Sequence, residues 1–384
     1  MNKLLNITSS ILFVMILIFG FNCKEQTKEK KKPDIVPIIQ KFSPRHIEYF
    51  HDVDRQVYIG TEIPGLFSKM KEKSDTVCDM VWAKRKFNNE ILHDFISPNN
   101  FSREPFNNWG HPLPKLIAGC WNFFKLNDTR PDLDFHMVNH FLPDQKKECF
   151  SVGFLQPYWM HTILKCEKLT SIDIDWRIHD AHYQLLQLFQ RKEMGSKDQI
   201  SEKVKSLSLG WKARFDGKPL EKVEKVDFNS ICYAKFHDRC YQFLSDFQKL
   251  YSELLEVDLQ TSALHDGDYQ FLPDTVPVLF FSNAIEALYT TRSQFDEILK
   301  RVADGLGKNR KAIFIHHAAG QAQFGIYELK TSETGEYEIQ TLCKDKYDSS
   351  PVGETHVYTT HFEKITKTKT PSSCSNQDFL KSFR

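Results

Sequence analysis

Two short apolar runs in the middle of the chain end in residues that could hold a nucleotide-like ligand. The first run, Cys149–Phe154, contains Gly153 close to its end. The second run brings Asp173 and then Asp175 to the start of the next polar stretch. A glycine after a strand lets a ligand approach the backbone, and an acid after the following strand can accept both hydroxyls of a ribose. These residues are therefore candidates for binding a nucleoside.

Three further features of the sequence fit a nucleoside-binding site. Trp176 follows the second acid directly and could cover an adenine ring. An acidic segment, Asp266-Gly267-Asp268, and a polar pair, Ser282-Asn283, come later in the chain, and the pair closes the apolar run Val278–Phe281. Polar residues that follow buried strands of an α/β sheet collect at one edge, where such folds bind their ligands.

Over roughly residues 148–345 the chain resembles the class I S-adenosylmethionine-dependent methyltransferases. The resemblance implies that Gly153 lies in the glycine loop and that Asp173 or Asp175 binds the ribose of S-adenosylmethionine. It implies that Trp176 contacts the adenine and that Asp266 or Asp268 lies near the adenine amine. It also implies that Ser282-Asn283 lies beside the transferred group. The Ser-Asn pair is also similar to enzymes that transfer an aminocarboxypropyl group to diacylglycerol. We therefore expect the transferred group to go to a small or lipid-like acceptor that Asn283 or His316 orients.

The glycine loop departs from the family pattern. Only Gly153 is present, and the bulky residues Leu155, Gln156 and Pro157 follow it. Crowding at this point would obstruct a methionine moiety. A non-catalytic binding lipoprotein with a degenerate Rossmann-like fold is therefore the competing hypothesis for function.

Each candidate also has a purely structural interpretation. Asp173 and Asp175 could cap a helix that begins at Trp176, because Asp is a favoured N-cap residue. Trp176 could be a packing residue, and Asp266-Gly267-Asp268 has the composition of an ordinary turn. Asn283 could cap the segment that follows its strand.

Two histidine pairs complete the set of candidates. His136 and His140 lie one helical turn apart, and Asp134 or Asp144 is the nearest candidate for the third ligand that a metal-dependent hydrolase would need. No Glu stands between the two histidines as in HExxH, so no metal site is predicted. His316-His317 ends an apolar run, a suitable place for a general base. Adjacent residues of a strand point to opposite faces, so at most one of these two could serve.

The pattern of apolar residues predicts an α/β fold, whose strands and helices would position these candidates. Apolar runs of strand length alternate with helical stripes, including the stripe that contains Ile178, Ala181 and His182. This alternation favours a doubly wound, mostly parallel, Rossmann-like and methyltransferase-like sheet, and the runs after Phe324 favour an antiparallel C-terminal edge. Further expectations are a helix over Val77–Ile96, a helix that starts with a capping box at Ser293-x-x-Asp296, and a strand within Glu354–Lys364.

The N-terminal sequence predicts that the protein is located in the cell envelope. Lys3 precedes the apolar run Ile11–Phe21, which is short for a membrane span but suits a signal peptide. Cys23 follows directly and is the predicted lipidation site, and Gly20-Phe21-Asn22 before it resembles the relaxed lipoboxes of spirochaete lipoproteins. The expected product is a lipid-anchored protein with its body in the periplasm or at the cell surface. An uncleaved anchor helix or cleavage elsewhere are the alternatives.

The predicted organisation has five parts: a signal peptide over 1–22, a lipidated charged tether over 23–34, a helical N-terminal extension over 35–147, a Rossmann-like domain over 148–345 with an insertion at 191–224, and a C-terminal strand and tail over 346–384. The chain has 51 basic and 50 acidic residues, so it lacks the broad positive surface of a nucleic-acid-binding protein. The expected partners are the membrane and a small-molecule or lipid ligand. Export permits disulfides among the eight cysteines other than Cys23, and their irregular spacing predicts at most one or two bridges.

Overall fold

A nine-stranded sheet organises the part of the chain that the structure describes. The structure is a computed structural model, and it describes residues 38–45, 56–72, 124–209, 211–212, 221–222, 226–254, 256–286, 289–318, 323–345 and 361–383. The strands are β1 Ile39–Pro44, β2 Tyr58–Ile59, β3 Lys147–Ser151, β4 Lys168–Asp173, β5 Trp211–Lys212, β6 Glu221–Lys222, β7 Glu256–Thr261, β8 Val276–Phe280, β9 Lys311–His317, β10 Phe324–Thr331 and β11 Tyr337–Lys344. The helices are α1 Pro131–Phe141, α2 Gln156–Leu164, α3 Trp176–Gln190, α4 Lys197–Val204, α5 His237–Leu250 and α6 Arg292–Leu306, and residues 63–72 are also helical.

The strand order in the nine-stranded sheet is β11-β10-β9-β8-β3-β4-β7-β1-β2, and β5 pairs with β6 in a separate two-stranded sheet. The six strands from β9 to β1 are parallel, whereas β10 and β11 pair antiparallel at one end and β2 pairs antiparallel at the other. This arrangement confirms the predicted Rossmann-like, methyltransferase-like sheet with an antiparallel C-terminal edge. The chain proceeds from β3 towards β7 on one side and from β8 towards β9 on the other. The order therefore reverses between β3 and β8, which is where such sheets open a ligand crevice.

Helices cover both faces of the sheet. Successive residues of the central strands enter different apolar clusters: Cys149 and Val278 pack on one face, and Phe150 and Leu279 pack on the other. The buried residues of α3 and α5 belong to the first cluster, and those of α6 belong to the second. Burial on both sides explains why apolar residues such as Cys149-Phe150 and Val278–Phe280 follow one another without alternation in these strands.

The N-terminal extension contributes strands as well as helices. Besides the helical residues 63–72 and α1, it supplies β1, which pairs parallel with β7, and the short edge strand β2. The prediction of a helical extension missed these strands. Ile38–Arg384 forms one compact unit that includes this extension.

Two expectations about helix and strand boundaries were wrong. Helix α6 begins earlier than predicted, because the capping box uses Thr291 and Gln294, while Asp296 pairs instead with Arg292 at 2.9 Å. His361–Lys364 is a 3-10 helix rather than the end of a strand, and residues 354–360 lie outside the described residues. The helix expected over Val77–Ile96 and the whole leader and tether, including Cys23, also lie outside them.

Three disulfides are present among the described residues. They join Cys149 to Cys166, Cys232 to Cys240, and Cys343 to Cys374. The prediction of at most one or two bridges was therefore wrong: cysteines placed in apolar patterns are paired in this fold rather than free. None of the helices in the described ranges is both long and apolar enough to cross a membrane.

Candidate functional site

The candidate site lies where β3, β4 and β8 end, at the reversal of strand order. The fold brings Gly153, Asp173 and Ser282 to this edge, as the sequence predicted, because each follows or ends a parallel strand of the same sheet. Two hydrogen bonds join the ends of the strands: Val152 N donates to Phe280 O at 3.1 Å and Gly153 N donates to the Asp173 carboxylate at 3.1 Å. What the site can do depends on what fills the space above these ends.

The glycine loop is filled by a side chain of its own segment. Gly153 has a φ of +81°, which favours glycine, and a Cβ placed there would meet Gln156 Oε1 at 2.5 Å. The space that a glycine normally leaves for a ligand is therefore taken by the amide of Gln156. This is the crowding that the sequence predicted.

Asp128 closes the crevice from the other side. Its carboxylate accepts hydrogen bonds from Gln156 Nε2 at 2.9 Å and from Ser282 Oγ at 2.5 Å. Asp128 is 0% exposed, and Ser282 holds the left-handed conformation, with a φ of +48°. We call these three residues the Asp128 bridge. It links the segment before α1 to the ends of both β3 and β8.

Aromatic packing reinforces the bridge. Phe124, from the same segment as Asp128, meets Phe154 edge to face with ring centroids 5.6 Å apart. Phe124, Leu126 and Phe154 are all buried. The segment before α1 is thus packed over the glycine loop by apolar contact as well as by hydrogen bonds.

Asp173 uses its carboxylate on the protein backbone. One oxygen accepts from Gly153 N at 3.1 Å, and the other accepts from Asp175 N at 3.1 Å. Burial raises the pKa of Asp173 to about 6, although these backbone donors oppose the rise. The side chain therefore shapes the glycine loop and the turn before α3.

Asp175 and Trp176 have structural roles. The Asp175 carboxylate accepts from Arg177 N at 3.0 Å and caps α3, which supports the capping interpretation for this residue. Burial raises its pKa to about 7. Trp176 is 1% exposed and stacks with Phe67 at 6.1 Å, so its ring serves packing and has no free face for an adenine.

The acidic loop after β7 pairs with the end of β1. Arg45 donates to the Asp268 carboxylate at 3.1 Å and to the Asp266 carbonyl at 3.2 Å. Strand β4 separates β7 from β3, so this loop lies two strands away from the glycine loop. Asn283 is partly buried and accepts from Ser282 Oγ at 3.3 Å.

His316 and His317 form two separate buried pairs. His316 Nε2 lies 3.1 Å from the Glu286 carboxylate, and His317 Nδ1 lies 2.8 Å from the carboxylate of Asp134 in α1. All four side chains are fully buried. Burial lowers the pKa of His316 well below its usual value and raises that of Asp134 to about 7. The ring of His316 meets no solvent in this structure, and its role as a general base stays a prediction.

His136 and His140 contact aromatic rings of the C-terminal segment. His136 stacks on Phe383 with centroids 3.7 Å apart, and His140 stacks on Phe379 at 4.4 Å. Within the described ranges, no group of three His, Cys, Asp or Glu side chains is arranged to hold a metal ion.

A buried hydroxyl–imidazole network beneath the glycine loop was missed by sequence reasoning. His182 Nδ1 lies 2.6 Å from Tyr158 Oη, and His182 Nε2 lies 2.9 Å from Ser171 Oγ and 3.1 Å from the Gly153 carbonyl. Burial lowers the pKa of His182 well below its usual value, so the ring is neutral. The signal was available, because His182 falls on the apolar stripe of α3, where a polar residue needs partners.

S-adenosylmethionine is compatible with this sheet topology, and several of the residues expected to bind it have partners within the protein. It would need an open glycine loop, an acid free to bind the ribose and an aromatic or apolar face for the adenine. Gln156 fills the loop, the Asp173 carboxylate binds the backbone and Trp176 is buried. The sheet is methyltransferase-like, and the hydrogen bonds of Asp128 with Gln156 and Ser282 narrow the space at the ends of β3 and β8.

Comparisons with known proteins bear on the fold alone. No family model matches the chain, and no curated protein sequence does. One similar solved structure is the rRNA methyltransferase AviRa from Streptomyces viridochromogenes, at 12% identity over 52% of this chain and 78% of that chain, with a TM-score of 0.29. At that level the match carries nothing about activity or substrate.

Proposed function

We propose that the protein is an exported, membrane-anchored binding lipoprotein whose Rossmann-like body is non-catalytic. The observation that carries the proposal is the Asp128 bridge, which occupies the crevice between β3 and β8. Its members are buried and joined by hydrogen bonds, so opening the crevice would leave polar groups without partners.

The anchor is the second part of the proposal. An apolar leader that stops at Cys23 supports acylation of this residue, and a second fatty chain would make anchoring stable. The three disulfides support export, because such bonds persist in oxidising compartments and are rare in the cytosol. S-adenosylmethionine is made in the cytoplasm, so an exported protein would rarely meet it. A closed crevice is consistent with a protein that does not bind this cofactor.

The alternative function is an S-adenosylmethionine-dependent transferase acting on a small or lipid-like acceptor. The strand order and the position of Asp173 after β4 favour this alternative. It requires the Asp128 bridge to open and the partly exposed Asp173 carboxylate to accept ribose hydroxyls beside its two backbone donors.

Thermal denaturation with millimolar S-adenosylmethionine or S-adenosylhomocysteine separates the two functions. We expect no stabilisation of the wild-type protein. A saturable rise in Tm that disappears in Asp173→Asn and persists in Asp144→Asn, an exposed acid outside the crevice, would establish the transferase site instead.

Incorporation of labelled palmitate in cells tests the anchor separately. We expect the wild-type chain to be labelled and Cys23→Ala to be unlabelled. Equal labelling of the two chains, or none in either, would contradict a lipid anchor at this residue.

A further inference from the structure

The C-terminal segment crosses from β11 to α1, and we call residues 372–383 the C-terminal strap. Its first part is fixed to β11, because Cys374 is bonded to Cys343. Its last part is the 3-10 helix Asp378–Phe383, and Leu380 of this helix is fully buried in the larger apolar cluster. The strap is therefore held to the body of the protein at both of its ends.

The 3-10 helix of the strap lies on α1 through two stacked ring pairs. Phe383 stacks on His136 with ring centroids 3.7 Å apart, and Phe379 stacks on His140 at 4.4 Å. The two histidines are four residues apart and share one face of α1. The strap therefore contacts α1 along a full helical turn.

Arg130 connects the strap to the start of α1. Its guanidinium donates to the Phe383 carbonyl and, at 2.6 Å, to the Asp132 carboxylate. The side chains of Arg130 and Asp132 are only 12% and 13% exposed, so this ion pair is largely shielded from solvent. Arg130 precedes α1 directly and follows Asp128 by two residues. One short stretch of chain thus binds the strap on one side and the crevice on the other.

Tertiary contacts alone hold this stretch in position. Residues 124–130 contain no helix or strand. Leu126 N donates to Ile231 O at 2.9 Å, and the Asp128 bridge supplies the contacts to the ends of β3 and β8. A segment outside regular secondary structure opens at a lower free energy than a core strand. Loss of the strap should therefore loosen the Asp128 bridge before it disturbs the sheet.

We infer that the C-terminal strap is an autoinhibitory element, which keeps the Asp128 bridge in place while it is docked on α1 and opens the crevice when it is released. The inference rests on the closed crevice of the proposed function and adds the element that controls it. Release would uncover Gly153 and Asp173, at the carboxyl ends of parallel strands, where α/β sheets bind their ligands.

Hydrogen–deuterium exchange, read by mass spectrometry, tests the inference without a ligand. The strap variant is Phe379→Ala with Phe383→Ala, which removes both stacked pairs and keeps the disulfide. Its control is Lys381→Ala, in the same 3-10 helix, whose side chain is 72% exposed. A second variant, Arg130→Gln, keeps both stacked pairs and removes the guanidinium that binds the Phe383 carbonyl.

We expect exchange within residues 124–130 and 152–158 to be about ten-fold or more faster in the strap variant than in the control, since each ring pair contributes a factor of about five. Exchange within α6, which packs on the opposite face of the sheet, should stay at the wild-type rate. Arg130→Gln should also accelerate exchange at 124–130.

Unchanged exchange at 124–130 and 152–158 in both variants would overturn the inference. An equal acceleration within α6 would overturn it too, because the strap would then only stabilise the fold as a whole. Thermal denaturation with S-adenosylhomocysteine uses the wild-type protein. A failure of the closed crevice is therefore distinguishable from a failure of the strap to control it.

Discussion

At the scale of single residues, the closed crevice depends on Asp128, which the sequence did not single out. The crowding by Gln156 could be predicted, because it lies three residues after the single glycine of the loop. The partner of Gln156 could not, because Asp128 belongs to a segment without regular periodicity and is brought to the crevice by tertiary structure. Asp175 shows the opposite case: its capping role follows from local sequence alone.

Replacing Asp128 should destabilise the protein. Asp128→Ala removes the acceptor for two buried donors, Gln156 Nε2 and Ser282 Oγ, and we expect a loss of about 2–4 kcal/mol in the free energy of unfolding. Urea unfolding measures it. The exposed Asp144→Ala is the control and should change stability little; comparable losses in the two variants would mean that the bridge does not hold the crevice closed.

His161 should contribute to the loss of stability in acid. It is buried against Phe247, and burial lowers its pKa from 6.5 to about 4. Because the folded pKa is lowered, its contribution is present above pH 6.5 and is lost as the pH falls towards 4. The free energy of unfolding of the wild-type protein, relative to that of His161→Leu, should therefore fall by up to roughly 3 kcal/mol between neutral pH and pH 4. Urea unfolding across this range checks it, and parallel pH profiles would refute it.

At the scale of elements, strands with an apolar run were predictable and β7 was not. Strands β8 and β9 contain the continuous apolar runs Val278–Phe280 and Ala312–Ile315, which are buried on both faces. Strand β7 was missed because Asp258 and Gln260 interrupt its pattern although both are buried. Its polar groups have partners that only the assembled sheet supplies: Ser43 donates to Asp258 at 3.1 Å from the neighbouring strand β1.

The C-terminal segment should depend on its disulfide. Cys343 in β11 is bonded to Cys374, which precedes the 3-10 helix Asp378–Phe383, whose phenylalanines stack on histidines of α1. Replacing both cysteines with serine should lower the free energy of unfolding by roughly 3–4 kcal/mol and expose this segment to limited proteolysis.

The short bridge from Cys232 to Cys240 provides the comparison. It closes a separation of 8 residues rather than 31, so its removal should cost about 1 kcal/mol less by loop entropy. A larger loss for the short bridge than for the long one would contradict this account of the disulfides.

At the scale of the whole molecule, the fold could be predicted and the state of its site could not. Alternating strands and helices specify a doubly wound sheet, and the carboxyl ends of its strands specify where a crevice would open. Whether the crevice is open depends on the N-terminal extension, whose segment at 124–130 lies over it. That segment and the three disulfides are the observations that favour an exported binding protein with a methyltransferase-like fold.

The central claim is that the crevice between β3 and β8 is closed by the protein itself. A crystal structure from crystals grown with an excess of S-adenosylhomocysteine tests this most directly. The account predicts that Gln156 and Ser282 still donate to Asp128, that Asp173 still binds Gly153 N, and that no cofactor is bound between the strands. A nucleoside in the crevice with its ribose on Asp173, and the Asp128 bridge broken, would contradict it.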